Sequence, residues 1–345
     1  MAAALPFAGS AAATPGYAAL AGAFLANNGL AAATGEPRVS PYRTVKRAEG
    51  ASAGFSAAQY AEAYSEGVER HFWNAARNRI IASELGKVAR GSGPLGKILE
   101  IGCGAGVVVR HLRQRGFDCH GAELAAAPIA ADLKPFIATN VDATTLDPSF
   151  RESIGTILLL DVIEHVEVPV QFLRGILAAF PMARRVLLTV PARRELWSNY
   201  DEHYGHYRRY DMRSLRAFIR DADLRLERAA YLFHALYPAM LLNRLTRRAR
   251  TVVIEPPRHE RVHRLLAVLF AWEARLLPAA LPGTSILAVA CRGASALDNV
   301  ESTPRPNRPW ACCRMAASDM VVRWISPSSS RFSTKLKAFP RSLKS

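Results

Sequence analysis

The sequence predicts an α/β fold in which short apolar strands alternate with helices, with a helical insertion between strands six and seven. Three observations predict it. Apolar runs of strand length recur between residues 97 and 290, separated by stretches with helical spacing. The first run ends in a glycine-rich turn, Glu100-Ile101-Gly102-Cys103-Gly104-Ala105-Gly106, that opens a helix. Several of the following runs stop at an acidic residue, at the strand end where open α/β sheets bind ligands.

The elements follow in order. Residues 55–89 have helical periodicity broken by Gly67 and carry Tyr64, His71-Phe72-Trp73 and Arg77-Asn78-Arg79. Phe72, Trp73 and Ile80 fit an ordinary core stripe, whereas Arg77 is suited to a bidentate pair with a ligand carboxylate. Strand one is Lys97 to Ile101. Gly102, Gly104 and Gly106 leave room for a ligand against bare backbone, and the helix from Val107 to Arg115 points unpaired N–H groups toward it. The next runs are Phe117 to Leu124, containing Glu123, and Phe136 to Val141, closed by Asp142-Ala143. Thr156 to Leu160 then reaches Asp161 and the string Val162-Ile163-Glu164-His165-Val166. A fifth run, Arg185 to Val190, stops at Pro191. Asp211 suits the N-cap of a helix from Met212 to Ala222, and Leu226 to Leu232 and Thr284 to Ala290 complete the set.

The cofactor class is narrowed by what the turn lacks. A dinucleotide fingerprint, G-x-G-x-x-G, needs its third glycine at 107 or 109, and both positions hold Val. Glu100 would repel a pyrophosphate and suits a cationic ligand. A dinucleotide-dependent oxidoreductase is therefore the disfavoured alternative.

The pattern E-x-G-x-G-x-G resembles the first motif of the class I S-adenosylmethionine-dependent methyltransferases. The resemblance implies a doubly wound, mostly parallel seven-stranded sheet of the Rossmann-like methyltransferase kind, with S-adenosyl-L-methionine across the carboxyl ends of its strands. It places Glu100, Gly102, Gly104, Gly106, Asp161 and Arg77 at the donor, Glu123 on the ribose hydroxyls, and Asp142-Ala143 at the adenine. The spacings, 23 residues from Glu100 to Glu123 and 19 from there to Asp142, keep these motifs in order. The D-V-I-E-H-V string is similar to the post-strand-four motif of ubiquinone-biosynthesis-type O-methyltransferases. The helix with H-F-W and R-N resembles one that this branch folds over the cofactor. Asn74, in place of an aromatic, and Ala105, in place of a hydroxyl residue, depart from the pattern. The resemblance spans residues 55–292.

Beyond strand five, Val190-Pro191-Ala192, Leu196-Trp197-Ser198, Asp201 and Gly205-His206-Tyr207-Arg208-Arg209-Tyr210 look like a loop of small-molecule and glycolipid-associated methyltransferases. Loops in that place build substrate pockets. Trp197, Tyr204 and Tyr207 suit a cationic or ring-bearing ligand, and Arg208 and Arg209 suit a carboxylate or phosphate on the acceptor. Methyl transfer requires in-line alignment, for which orientation supplies up to ~7–11 kcal/mol, and removal of a proton from a hydroxyl acceptor. His165 and His206 are the candidates for that proton. A partner protein that binds the cofactor without turnover is the other alternative.

Composition bounds the rest. Residues 1–54 are rich in Ala, Gly and Pro and lack Lys or Arg before Arg38, which fits neither a secretory signal nor an Arg-rich transit peptide. Residues 293–345 form a Ser/Pro-rich basic tail; both ends read as disordered extensions of a 55–292 domain. Of the +16 net charge, the tail from 301 holds 9 − 2 = +7 and residues 1–54 hold 4 − 2 = +2, leaving +7 for the middle. No specific nucleic-acid substrate is demanded. The five cysteines, at 103, 119, 291, 312 and 313, lack metal-ligand spacing, so a reduced, cytoplasmic protein with no metal site is expected.

The insertion, about 233–281, holds two apolar runs flanking seven arginines from Arg244 to Arg264. It reads either as an interfacial hairpin that brings the protein to anionic lipid, implying a lipid-linked acceptor, or as a helical cap on the sheet or a second subunit. The oligomeric state is left open.

Overall fold

Residues 57–246 and 257–293 are described by the computed structural model. The expected extension 1–54, all but the first residue of the expected tail, and Arg247, Arg248 and Arg250 lie outside them. Among the described residues the strands are β1 (Lys97–Ile101), β2 (Cys119–Glu123), β3 (Ile137–Thr139), β4 (Ile154–Leu160), β5 (Arg185–Pro191), β6 (Leu224–Leu232) and β7 (Ser285–Arg292). They form one sheet in the order β3-β2-β1-β4-β5-β7-β6. Pairs from β3 to β5 are parallel, and β7 runs antiparallel to both β5 and β6.

The strands read as near-continuous apolar runs because both faces of the sheet are covered. Side chains alternate across it: Ile157 and Leu159 of β4 enter one core, and Leu158 and Leu160 the other. The first core is closed by α4 (Pro148–Glu152), through Phe150, by α5 (Pro169–Ala179), through Phe172, Leu173 and Ile176, and by α7 (Met212–Asp221), through Leu215, Phe218 and Ile219. The second is closed by α2 (Phe72–Ser92), through Ile81 and Leu85, and by α3 (Val107–Arg113), through Val108, Val109 and Leu112. As expected, Asp211 caps α7: its carboxylate accepts from the Ser214 N–H at 2.7 Å.

The insertion forms α8 (Leu236–Leu245) and α9 (Glu260–Leu276). The inner face of α9 packs on α2, with Phe270 stacked on Phe72 at 5.5 Å and 5.7 Å from Phe233, so the cap reading describes that face. Its outer face is another matter: Val262, Leu265, Leu269, Trp272 and Leu276 recur at helical spacing and are exposed, Trp272 to 60%. No described helix is long and apolar enough to cross a membrane.

The chain builds outward from β1 to β2 and β3, then jumps back to β4 on the other side of β1. This reversal leaves a crevice at the carboxyl ends of β1 and β4.

Candidate active site

The glycine turn leaves β1 at the switch point. Its amides are anchored to β2, Gly102 N–H donating to Ala122 O at 2.8 Å. Gly104 (φ 56°) and Gly106 (φ 80°) hold left-handed backbone, and a Cβ at Gly104 would overlap the Tyr64 ring while one at Gly106 would overlap Ile137. Glycine is thus required by both conformation and close approach. Glu123, at the end of β2, accepts from Gly104 N–H at 2.8 Å and from Ala125 N–H at 2.9 Å, and burial raises its carboxyl above the ordinary range against those bonds.

Glu100 is buried, and its Oε2 has no hydrogen-bond partner among the described residues. Burial pushes its carboxyl up to about 8, opposed by Arg77 and reinforced by Glu123. Tyr64, in the segment after α1 (Ala57–Ala63), stands over the turn; burial, then Glu123 and Glu100, raise its phenol far above the usual value. Asp161, directly after β4, holds φ 55° and pairs with Arg77 of α2, whose guanidinium lies 4.7 Å from the Trp73 ring. A non-glycine residue in this region costs about 1–3 kcal/mol and is characteristic of functional positions.

The turn Ile163–His165 follows. Glu164 is 1% exposed, and among the described residues neither carboxyl oxygen has a hydrogen-bond partner. Burial and then Asp161 raise its carboxyl well above the ordinary value. The His165 ring lies edge-on to His206, 4.6 Å between centroids. Burial, then His206, lowers the His165 imidazole to about 3, so it is neutral at physiological pH. Behind His206 stands Asp201, of the short helix α6 (Asn199–His203): Oδ1 bonds His206 Nδ1 at 2.9 Å, and Arg209 grips both oxygens at 2.7 and 3.0 Å. One cavity of about 380 Å³ runs from Glu100, Gly102 and Glu123 past Asp161 to Glu164, His165 and His206. That volume suits a small-molecule site.

A family model described as a methyltransferase domain matches residues 64–229, from the tyrosine over the glycine turn to the middle of β6. Over those residues the chain carries a methyltransferase domain, and it is an S-adenosylmethionine-dependent methyltransferase. Its fold is similar to a chain of the complex between the Haloferax volcanii Trm112 methyltransferase activator and a methyltransferase (14% identity, TM-score 0.41, covering 68% of this chain and 96% of that one). It is also similar to the 1,6-didemethyltoxoflavin-N1-methyltransferase of Burkholderia thailandensis (15%, 0.39, 68% and 86%) and the magnesium protoporphyrin IX methyltransferase of Synechocystis (15%, 0.37, 68% and 92%). No curated protein matches the chain.

The geometry of the methyltransferase corrects several sequence expectations. Of the residues expected at the donor, Glu100, Gly102, Glu123, Asp161 and Arg77 line the cavity. Asp142 and Ala143 stand outside its wall, because the Asp142 carboxylate caps a local turn, accepting from both Thr144 N–H and Thr144 Oγ1 at 2.8 Å. Of the aromatic-basic loop, Tyr204 and Arg209 reach the wall, but Arg209 is committed to Asp201 and is not free to hold an acceptor anion. Trp197 turns to Glu202, its Nε1–H donating at 3.4 Å. Arg208 donates to the carbonyls of Val166 and Glu167 at 3.2 and 2.6 Å and is thereby held off the cavity, and the Tyr207 side chain does not line it either.

The sequence gives no role to Tyr64, Glu164, Tyr200 or Asp201, which line the cavity or orient its walls. Glu164 stood beside His165 in D-V-I-E-H-V, and Asp201 stands three residues after Ser198, whose N–H it accepts at 2.9 Å in a capping box. One potential ligand atom from each of Glu164, His165 and His206 also lies within 4.8 Å of the other two, a proximity that cysteine spacing did not reveal.

Gly104→Ala is expected to weaken S-adenosylhomocysteine binding at least about tenfold, or about 1.4 kcal/mol, through left-handed strain and overlap with Tyr64. Calorimetry on the folded variant checks this; undiminished affinity would remove the turn from the donor site.

Proposed function

We propose that this methyltransferase transfers the methyl group of S-adenosylmethionine to an oxygen of a small or lipid-linked acceptor. The observation that carries the reading is the single cavity with chemically distinct ends. Glu100, Glu123, Asp161 and the Gly102 turn form one end, where buried carboxylates offset the charge of a sulfonium donor. Glu164, His165 and His206 form the other end, where two imidazoles and a carboxyl group meet the acceptor hydroxyl. Tyr204 and Tyr200, with rings 4.7 Å apart, flank that end.

A specific observation favours a lipid-linked acceptor. Leu236 and Met240 of α8 line the cavity, while Leu242 and Leu245 of the same helix and the outer stripe of α9 are exposed. Apolar surface thus runs from the cavity wall to the outside beside Arg244, Arg258, Arg261 and Arg264, the arrangement of an interfacial helix pair on anionic lipid.

The test incubates the protein with methyl-labelled donor and separate lipid and aqueous extracts of cells. Label is expected in an organic-phase ether or ester, and Glu123→Ala is expected to abolish it. Label confined to amines would overturn oxygen attack, label only in the aqueous fraction would overturn the lipid-linked form, and undiminished labelling by the variant would displace the site.

A further inference from the structure

The acceptor end holds a buried acid without a counter-charge. Among the described residues Glu164 has no hydrogen-bond partner at either carboxyl oxygen, and the neighbouring guanidinium groups are taken, Arg77 by Asp161 and Arg209 by Asp201. An isolated carboxylate in such a place is expensive unless something cationic joins it. Two imidazoles share the space: one potential ligand atom from each of Glu164, His165 and His206 lies within 4.8 Å of the other two. Each ring is also braced from behind. His206 Nδ1 bonds the Asp201 carboxylate, which leaves Nε2 for a ligand, and His165 is bonded to the Tyr204 backbone. A ligating histidine whose second nitrogen is held by a carboxylate or backbone carbonyl is the usual outer arrangement of a metal site.

We propose that Glu164, His165 and His206 bind a divalent transition-metal cation at the acceptor end of the cavity. Two imidazoles with one carboxylate suit Mn2+, Fe2+, Co2+ or Zn2+ better than Mg2+ or Ca2+, which prefer all-oxygen sets. Three protein ligands leave coordination positions open to the cavity. The consequence for catalysis rests on the oxygen-acceptor reading above. A hydroxyl in an open position loses its proton more readily; that proton passes to cavity water. The oxygen electron pair then forms the bond to the methyl carbon, and the carbon–sulfur bond breaks with its electrons remaining on sulfur.

The experiment titrates untagged, chelator-stripped full-length protein with Co2+, following visible ligand-field absorption, and measures S-adenosylhomocysteine binding by calorimetry on the same samples. One equivalent of Co2+ is expected to bind with a visible spectrum. Glu164→Gln and His165→Gln are each expected to weaken uptake at least tenfold, while retained S-adenosylhomocysteine binding shows that the variants are folded. Wild-type protein that binds S-adenosylhomocysteine but no Co2+ overturns the metal site and leaves the methyltransferase reading standing. Equal Co2+ uptake by folded variants also overturns it. Co2+ uptake that depends on Glu164 in protein that fails to bind the cofactor supports the metal site and defeats the donor assignment instead.

Discussion

Asp201→Ala is expected to lower stability by about 3–5 kcal/mol, the cost of breaking one partner out of a buried ion pair. The carboxylate is 0% exposed and accepts five bonds: two from Arg209, one from His206 Nδ1, one from Ser198 N–H and one from Ser198 Oγ. Without it the buried Arg209 guanidinium keeps only the Ala192 carbonyl, at 3.1 Å. Burial alone would raise the Asp201 carboxyl, but the bonds from His206 and Arg209 outweigh it and hold the group well below the carboxylate range. The sign follows: a depressed folded value stabilises the protein above the unfolded value of about 4 and ceases to do so as pH falls through the folded one. Chemical denaturation at pH 7 should show the loss, and the deficit of the variant should shrink in strong acid. Replacing both partners, Asp201→Asn with Arg209→Met, should recover much of the stability because no unpaired charge is left inside. The double variant should still fail in catalysis, since His206 loses its orienting carboxylate. A single variant as stable as wild type would show that the pair contributes nothing to the fold.

The fold was legible wherever burial on both faces or backbone geometry dictated the residue. The strands come out close to their apolar runs, and the glycines at 104 and 106 are demanded by positive φ and by the packing of Tyr64 and Ile137. The reversed direction of β7 was not legible, because Ser285 to Arg292 is apolar in the same way whichever way it runs. In the loop after β5, residue types announced a site but not their directions. The same arginine that suits an acceptor phosphate also suits the carbonyls of Val166 and Glu167, and local geometry sends Arg208 there. Asn74 departs from the family aromatic for a reason seen only in three dimensions: its side chain donates to Val68 O at 2.9 Å and ties the preceding turn to α2. Glu164 stood in a quoted motif without a role because its significance lies in its lack of hydrogen-bond partners among the described residues, and no string of letters records that. The two apolar faces of α9 likewise merge into one run in the sequence, and only packing separates Phe270 and Ala267 from Leu269 and Trp272.

Donor affinity is expected to rise with pH between 6 and 8, by up to about tenfold per unit and so about hundredfold over the range, with uptake of the donor releasing a proton. Glu100 is the source. Its carboxyl is buried beside the Gly102 turn, and burial pushes it up to about 8, so the ligand-free protein carries it protonated at pH 6. A folded value above the unfolded one means that this group stabilises the ligand-free fold below the unfolded value of about 4, and that the contribution is lost as pH rises through about 8. A sulfonium or ammonium seated against Glu100 favours the ionised form, so binding below pH 8 must expel the proton. Above that the carboxylate is already formed and the dependence should level off. Calorimetry in two buffers of different ionisation enthalpy counts the proton directly. Glu100→Gln keeps the shape and removes the titration: its affinity should be flat in this range and weaker than wild type at pH 8. Its ligand-free form should outlast wild type above pH 8, where a buried Gln costs less than a buried carboxylate. Comparing the two forms of the cofactor then locates the charge. If S-adenosylmethionine shows the slope and S-adenosylhomocysteine, with a neutral sulfur, does not, Glu100 faces the sulfonium; equal slopes place it at the amino-acid end. A wild-type affinity that ignores pH, or a Gln variant with an unchanged slope, would take Glu100 away from the donor altogether.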